Sequence, residues 1–174
     1  MIYFWSDTHF GHANVIKFCR RPYADVDSMN EGLIQRWNHK VRPSDTIYVV
    51  GDFAFNKTAS RVFDRLNGHK HLVKGNHDEH NPDVTKQPWE SISDILTVRD
   101  NGRKIIACHY PMETWKNAGK GYMHVHGHSH GSLKRTIPHR LDVGCDVWQY
   151  PLSFDFLWDL FSKQDFRPQD HHGD

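Results

Sequence analysis

An α/β domain with its helices outside a sheet is what this sequence predicts, on three observations. Apolar stretches of strand length recur along the whole chain. Helical apolar spacing falls between them in the first half. The stretches repeatedly stop at Gly, Asp, Asn or His. The chain has 174 residues, 37% of them hydrophobic and 25% charged, the make-up of a globular domain with a real core. One domain is expected over 1–166, with a polar tail over 167–174.

Each element has its own signal. Residues 2–5, IYFW, are an apolar run that ends at Ser6-Asp7 and reads as a buried strand. Residues 27–40 place Met29, Leu33, Ile34 and Trp37 at helical spacing, and Pro43 stops that helix. DTIYVVGD (45–52) is a β-branched strand ending in Gly51-Asp52. Residues 57–66 read as helical, with Val62, Phe63 and Leu66 on one face. HLVKGNHD (71–78) is a short strand running into Gly75-Asn76-His77-Asp78. Residues 94–98 and 103–108 are two strands joined by a turn at Asp100-Asn101-Gly102. GYMHV (121–125) and LDVGCDV (141–147) supply two more strand candidates, and 153–162 a final helix capped by Ser153.

Composition narrows the function classes. The net charge is +1, so no general electrostatic grip on nucleic acid or membrane is indicated. Three cysteines, Cys19, Cys108 and Cys145, form no CxxC pair, which predicts reduced thiols and a cytoplasmic setting. The apolar run that opens MIYFWSDTH is five residues with no basic lead, too short for a secretory signal, and no stretch reaches membrane-spanning length. Fifteen histidines are the one oddity. Histidine is the commonest metal ligand.

Those histidines, together with Asp and Asn, fall where strands end. Successive apolar runs stop at Asp7-x-His9, Gly51-Asp52, Gly75-Asn76-His77-Asp78, His109 and Gly127-His128-x-His130. Open α/β sheets build sites at the carboxyl ends of their strands. Asp7, His9, Asp52, Asn76, His109, His128 and His130 all suit a metal, and two cations sharing one carboxylate would use them as two sets of four. Paired ions are typical of enzymes acting at phosphorus. Two ligand carboxylates against two divalent ions leave a positive site that favours an anionic ester.

The order DxH, GD, GNHD, H and GHxH, spread over residues 7–130, resembles the calcineurin-like metallophosphoesterase superfamily. Any one block is weak; five in order are specific. The resemblance implies a four-layer α-β-β-α sandwich, two mixed β-sheets flanked by helices. It implies one ion on Asp7, His9 and His130, a second on Asn76, His109 and His128, and Asp52 between them. Attack on phosphorus by a hydroxide bridging the ions is implied as well, with Asn76 steadying the phosphoryl oxygens. His77 resembles the family's acid, and Asp78 beside it would orient or charge-balance it. The expected function is metal-dependent hydrolysis of phosphate mono- or diesters. Two divalent ions are expected, Mn²⁺ as the activator by family similarity, with Fe, Zn or Ni as alternatives. The substrate would be a small phosphate ester or a nucleotide, because little chain is left for a capping domain between the blocks. A non-catalytic interaction scaffold on the same fold, or a nuclease acting on nucleic-acid ends, is the alternative.

Several residues carry two readings. His12 either lines the site and touches substrate or caps the following helix. Arg20-Arg21 could reach phosphate, but a solvated surface pair is favoured. Cys108 adjoins His109, yet neighbours on a strand point to opposite faces, which puts Cys108 in the core. Asp142 and Asp146 flank Gly144 and favour a structural turn over a substrate wall. His80 and His139 are expected at the surface. In HVHGHSH (124–130), His124 and His126 share a strand face and read as packing or supporting residues, and Gly127 separates them from His128 and His130. DTHFGH lacks the HxH spacing of amidohydrolase barrels, and NAGKG (117–121) lacks the leading Gly and the hydroxyl residue of a phosphate loop.

Overall fold

The computed structural model describes residues 1–167. The expected tail therefore lies, from 168 onward, outside the described residues. In chain order the elements are β1 (Ile2–Trp5), α1 (Ala13–Phe18), α2 (Val26–Lys40), β2 (Thr46–Val49), α3 (Ala59–Val62), β3 (His69–Val73), α4 (Pro82–Thr85), β4 (Ser91–Ser93), β5 (Ile95–Asp100), β6 (Arg103–Cys108), β7 (Met123–His126), β8 (Arg140–Asp142), β9 (Leu152–Ser153) and α5 (Phe154–Ser162). Short 3-10 turns lie at Phe63–Arg65 and Ala118–Lys120.

The strands form two mixed sheets, as the fold class requires. The first has the order β4-β3-β2-β1-β9 and the second β5-β6-β7-β8. In the first, β1 to β4 run parallel and β9 is antiparallel to β1. In the second, β5 and β6 are the antiparallel hairpin, and β6, β7 and β8 run parallel. Pairing of Ile2 with Thr46 through Trp5 with Val49 brings the ends of β1 and β2 level.

Alternation along the strands divides the apolar residues between two layers. Tyr3, Trp5, Ile47, Val49 and Leu72 face the helices, packing against Met29, Leu33, Ile34 and Trp37 of α2 and Val62 of α3. Phe4, Val50 and Val73 face the second sheet, where Ile105, Ala107, Met123 and Val125 meet them. Phe154, Leu157 and Phe161 of α5 close this inner layer. Burial of each such side chain contributes about 1.5–3 kcal/mol. The outer face of the second sheet is covered by the 110–122 segment, through Trp115 and Ala118 on Ile106, with Phe166 stacked on Trp115 at 5.3 Å. Among the described residues, no helix is long and apolar enough to cross a membrane.

Local signals explain the helix ends. Asp25 and Ser28 form a reciprocal capping box at the start of α2, and the Ser153 side chain accepts from the Phe156 amide at the start of α5. The helix read over 57–66 is only one turn, α3, followed by a 3-10 turn. The elements α4, β4 and β9 have no counterpart in the sequence reading, and α1 figures there only as the helix after His12. Each is six residues or fewer, too short for periodicity to register, and each forms because tertiary pairing or packing supports it.

Candidate metal centre

The carboxyl ends of β1, β2 and β3 in one sheet, and of β6 and β7 in the other, deliver every residue expected in the site. Past β1 and β2 the two chains keep pairing: the Asp7 amide donates to Gly51 O and the His9 amide to Asp52 O, both at 3.0 Å. They do so with unusual backbones. Asp7, His9, Asp52, His128 and His130 all have positive φ, between 46° and 68°. Non-glycine residues avoid this region, at a cost of about 1–2 kcal/mol each. Five of the seven expected ligands thus share a strained conformation that no residue pattern announces.

Asp52 lies at the middle. Its Oδ2 is 3.7 Å from His9 Nε2, 3.5 Å from His109 Nε2 and 3.9 Å from His77 Nε2. Its Oδ1 accepts the His77 backbone N–H at 3.1 Å. Asp7 is fully buried, and its carboxylate accepts from the Ser6 hydroxyl and from the His128 amide. Asp7, His9 and His130 offer ligand atoms within 4.8 Å of one another, as do Asp7, Asp52 and His109. Asn76 Oδ1 and His128 Nδ1 stand 3.1 Å apart at the open edge.

Ring hydrogen bonds set which imidazole nitrogens face inward. His109 Nδ1–H donates to Val50 O at 2.9 Å, and His130 Nδ1–H donates to Asp146 at 2.6 Å. In each case it is Nε2 that points toward a carboxylate, Asp52 for His109 and Asp7 for His130 at 3.9 Å. Both ring nitrogens of His9 and Nε2 of His109 are buried with no hydrogen-bond partner among the described residues. Buried polar atoms left unpaired are costly, and ion coordination satisfies them.

The electrostatics agree with a cation site. Burial pushes the Asp7 pKa up to about 6, against the pull of His109 and His130. Burial also favours a neutral Asp52, but His109, His9 and the His77 amide outweigh it and bring the carboxyl down to about 2. Burial disfavours charge on His109, yet Asp52 and Asp7 overcome it and push that imidazole up to about 9. The two carboxylates therefore hold positive charge between them. Burial pushes His9 down to about 3, leaving a neutral ring fit to coordinate. The donor set of carboxylate, imidazole and amide fits a pair of divalent ions.

Other expectations fare differently. Asp78 does not reach the His77 ring. Its two oxygens accept three backbone amides, from Asp52, Phe53 and Gly75, at 2.7–2.9 Å. It ties the β2 loop to the β3 loop, which corrects its expected role as partner of His77. His12 sits at the start of α1 without a side-chain cap bond; its ring stacks on Phe55 at 4.0 Å, 5.6 Å from His9. It lines the edge of the site.

Arg21 is the main correction. It is 7% exposed, not solvated, and donates to Asp146, Asp7 O and Thr8 O. Asp146 belongs to this cluster instead of serving a turn alone, whereas Asp142 does hold its turn through Gly144 and Gly131. The Arg21–Asp146 pairing has no local signature, since the two residues lie 125 apart in sequence. Cys108 is buried as expected, and all three cysteines are free. His124 and His126 are buried away from the inter-sheet core; His124 lies 5.5 Å from Trp115. His80 is exposed, but His139 is half-buried against Phe161 and Phe166.

A family model described as calcineurin-like phosphoesterase matches residues 1–157. The chain is 32% identical over 173 residues to an uncharacterized protein of Methanocaldococcus jannaschii, covering 93% of this chain and 92% of that one. It is 28% identical over 193 residues to the gene 66 protein of Mycobacterium phage L5, covering 91% and 92%. A solved structure of a protein of unknown function from Aquifex aeolicus superposes with a TM-score of 0.73 at 24% identity, over 92% of this chain and 98% of that one, a likeness of fold.

Proposed function

The chain belongs to the calcineurin-like phosphoesterase family, and on that premise we propose that it hydrolyses phosphate mono- or diesters with two divalent ions. Asp7, His9 and His130 hold the first ion, Asn76, His109 and His128 the second, and Asp52 both. One observation carries this reading: buried, unpartnered nitrogens of His9 and His109 face the same Asp52 oxygen at 3.7 and 3.5 Å. Such ions supply Lewis acidity and bring the pKa of coordinated water near neutrality.

The remaining work falls to the protein. Asp52 is fixed by the His77 amide, so its Oδ2 is shared between the two ligand sets. Asn76, beside His128, steadies phosphoryl oxygens at the open edge. The His77 side chain is 45% exposed at the mouth, where it protonates the leaving oxygen. His12, on the same rim, contacts substrate. Exposed His77, His128 and Tyr110 leave the mouth open to small phosphate esters and nucleotides.

The test is hydrolysis of a chromogenic phosphate diester and the matching monoester with added Mn²⁺. Turnover should require Mn²⁺, stop with chelator and be lost in Asp52→Asn. No metal-dependent turnover of either ester would favour a non-catalytic scaffold.

A further inference from the structure

We propose that Arg21 and Asp146 are positioning residues that hold the Asp7, His9 and His130 set in register for its ion. The inference rests on the two-ion reading above and adds two residues to it. Arg21 follows α1, and its guanidinium is buried where the loops after β1 and β8 meet. Nε and Nη2 each donate to an Asp146 oxygen at 2.7 Å, a two-pronged contact. The same fork turns the other way: Nη2 donates to Asp7 O at 2.6 Å and Nη1 to Thr8 O at 2.9 Å. These carbonyls belong to the short loop in which Asp7 and His9 both have positive φ. One guanidinium therefore clamps the strained loop that carries two ligands.

Through Asp146 it reaches the third. Asp146 Oδ2 accepts His130 Nδ1–H at 2.6 Å, which fixes the tautomer and turns Nε2 toward Asp7. Carboxylates behind metal-binding imidazoles orient the ring and raise its basicity. His109 gets its equivalent hold from a neutral carbonyl, Val50 O. Cys19 Sγ also lies 3.4 Å from His130 Nδ1, so Cys19, His130 and Asp146 form a group of ligand type. The guanidinium already balances the charge of Asp146 there, which argues against a further ion. Lysine could not replace it, because a point charge cannot bond two carboxylate oxygens and two carbonyls in a fixed fork.

Mn²⁺ titration of the metal-free full chain by calorimetry tests the idea in two backgrounds. His128→Ala leaves the first ligand set intact, and His130→Ala leaves the second. Asp146→Asn should weaken Mn²⁺ binding about 10- to 100-fold in the His128→Ala background and leave it unchanged in the His130→Ala background. Arg21→Lys should follow the same pattern; if that variant does not fold, Asp146→Asn decides. Equal loss in both backgrounds would mean general loosening and overturn the proposal, as would no loss in the first. A His128→Ala protein that binds no Mn²⁺ would overturn it too. Wild-type protein that binds fewer than two Mn²⁺ overturns the two-ion reading itself, an outcome distinct from the others.

Discussion

A β-carbon on Gly51 would stand 2.2 Å from His109 Nδ1, so the glycine at the end of β2 is the seat of an imidazole from the other sheet. Its φ of +88° adds a second reason for glycine. Gly51→Ala should displace His109 from Asp52 and destabilise the fold by at least about 2 kcal/mol, from backbone strain and the clash together. Urea denaturation of the metal-free protein measures the loss. A variant as stable as wild type that retains Mn²⁺ affinity would show that the loop moves freely.

His77 differs from the residues around it. Its backbone anchors Asp52, but its ring is exposed and stands 3.9 Å from the nearest Asp52 oxygen. Since only the side chain enters the chemistry, His77→Ala should keep both metals and lose about 10²- to 10⁴-fold in kcat. Metal content by elemental analysis, measured beside kcat on a chromogenic diester, separates the two effects. Full turnover would remove His77 from the mechanism; loss of an ion would make it a ligand.

The parts legible in the sequence were those encoded locally. Strand ends read from IYFW-Ser6-Asp7, Gly51-Asp52 and GNHD converge on one site because parallel strands bring their carboxyl ends to a common edge. The candidate ligands are named by residue type, and their division between two ions rests on the family resemblance that the five blocks carry. What stayed hidden was long-range or conformational. Arg20-Arg21 resembles any surface pair until α1 turns Arg21 inward to Asp146. Asp78 sits in GNHD beside His77 but spends its oxygens on three amides. The positive φ values of Asp7, His9, Asp52, His128 and His130 leave no compositional mark.

Asp78 should therefore behave as a structural anchor. Its carboxylate is buried and accepts the amides of Asp52, Phe53 and Gly75. In Asp78→Asn the new NH₂ group must face at least one of those N–H donors. An unsatisfied buried amide costs about 1–3 kcal/mol, which at this chain length is a fall of roughly 3–10 °C in Tm. Thermal denaturation of the metal-free protein reads it. Unchanged Tm with lost turnover would return Asp78 to the role of a His77 partner.

His124 gives the pH-dependent prediction. Burial pushes its pKa down to about 3, from an ordinary value of 6.5. The hydrogen bonds explain why the neutral ring is kept: Nδ1–H donates to Ile106 O at 3.0 Å, and Nε2 accepts the Met112 amide at 3.2 Å. A proton on Nε2 would break the second bond and bury a charge beside Trp115. The sign follows from linkage. Between pH 6.5 and about 3 the unfolded chain holds a proton on His124 that the folded chain refuses, so stability falls as pH falls. The slope from this one residue approaches 1.4 kcal/mol per pH unit. The ring-proton NMR signal of His124 in metal-free protein should stay constant from about pH 7.5 to 5, and His124→Gln should show a shallower acid limb in urea denaturation. A His124 signal that titrates near its ordinary value would mean that the β7 histidines are open to solvent, and that the 110–122 segment does not seal the outer face of the second sheet.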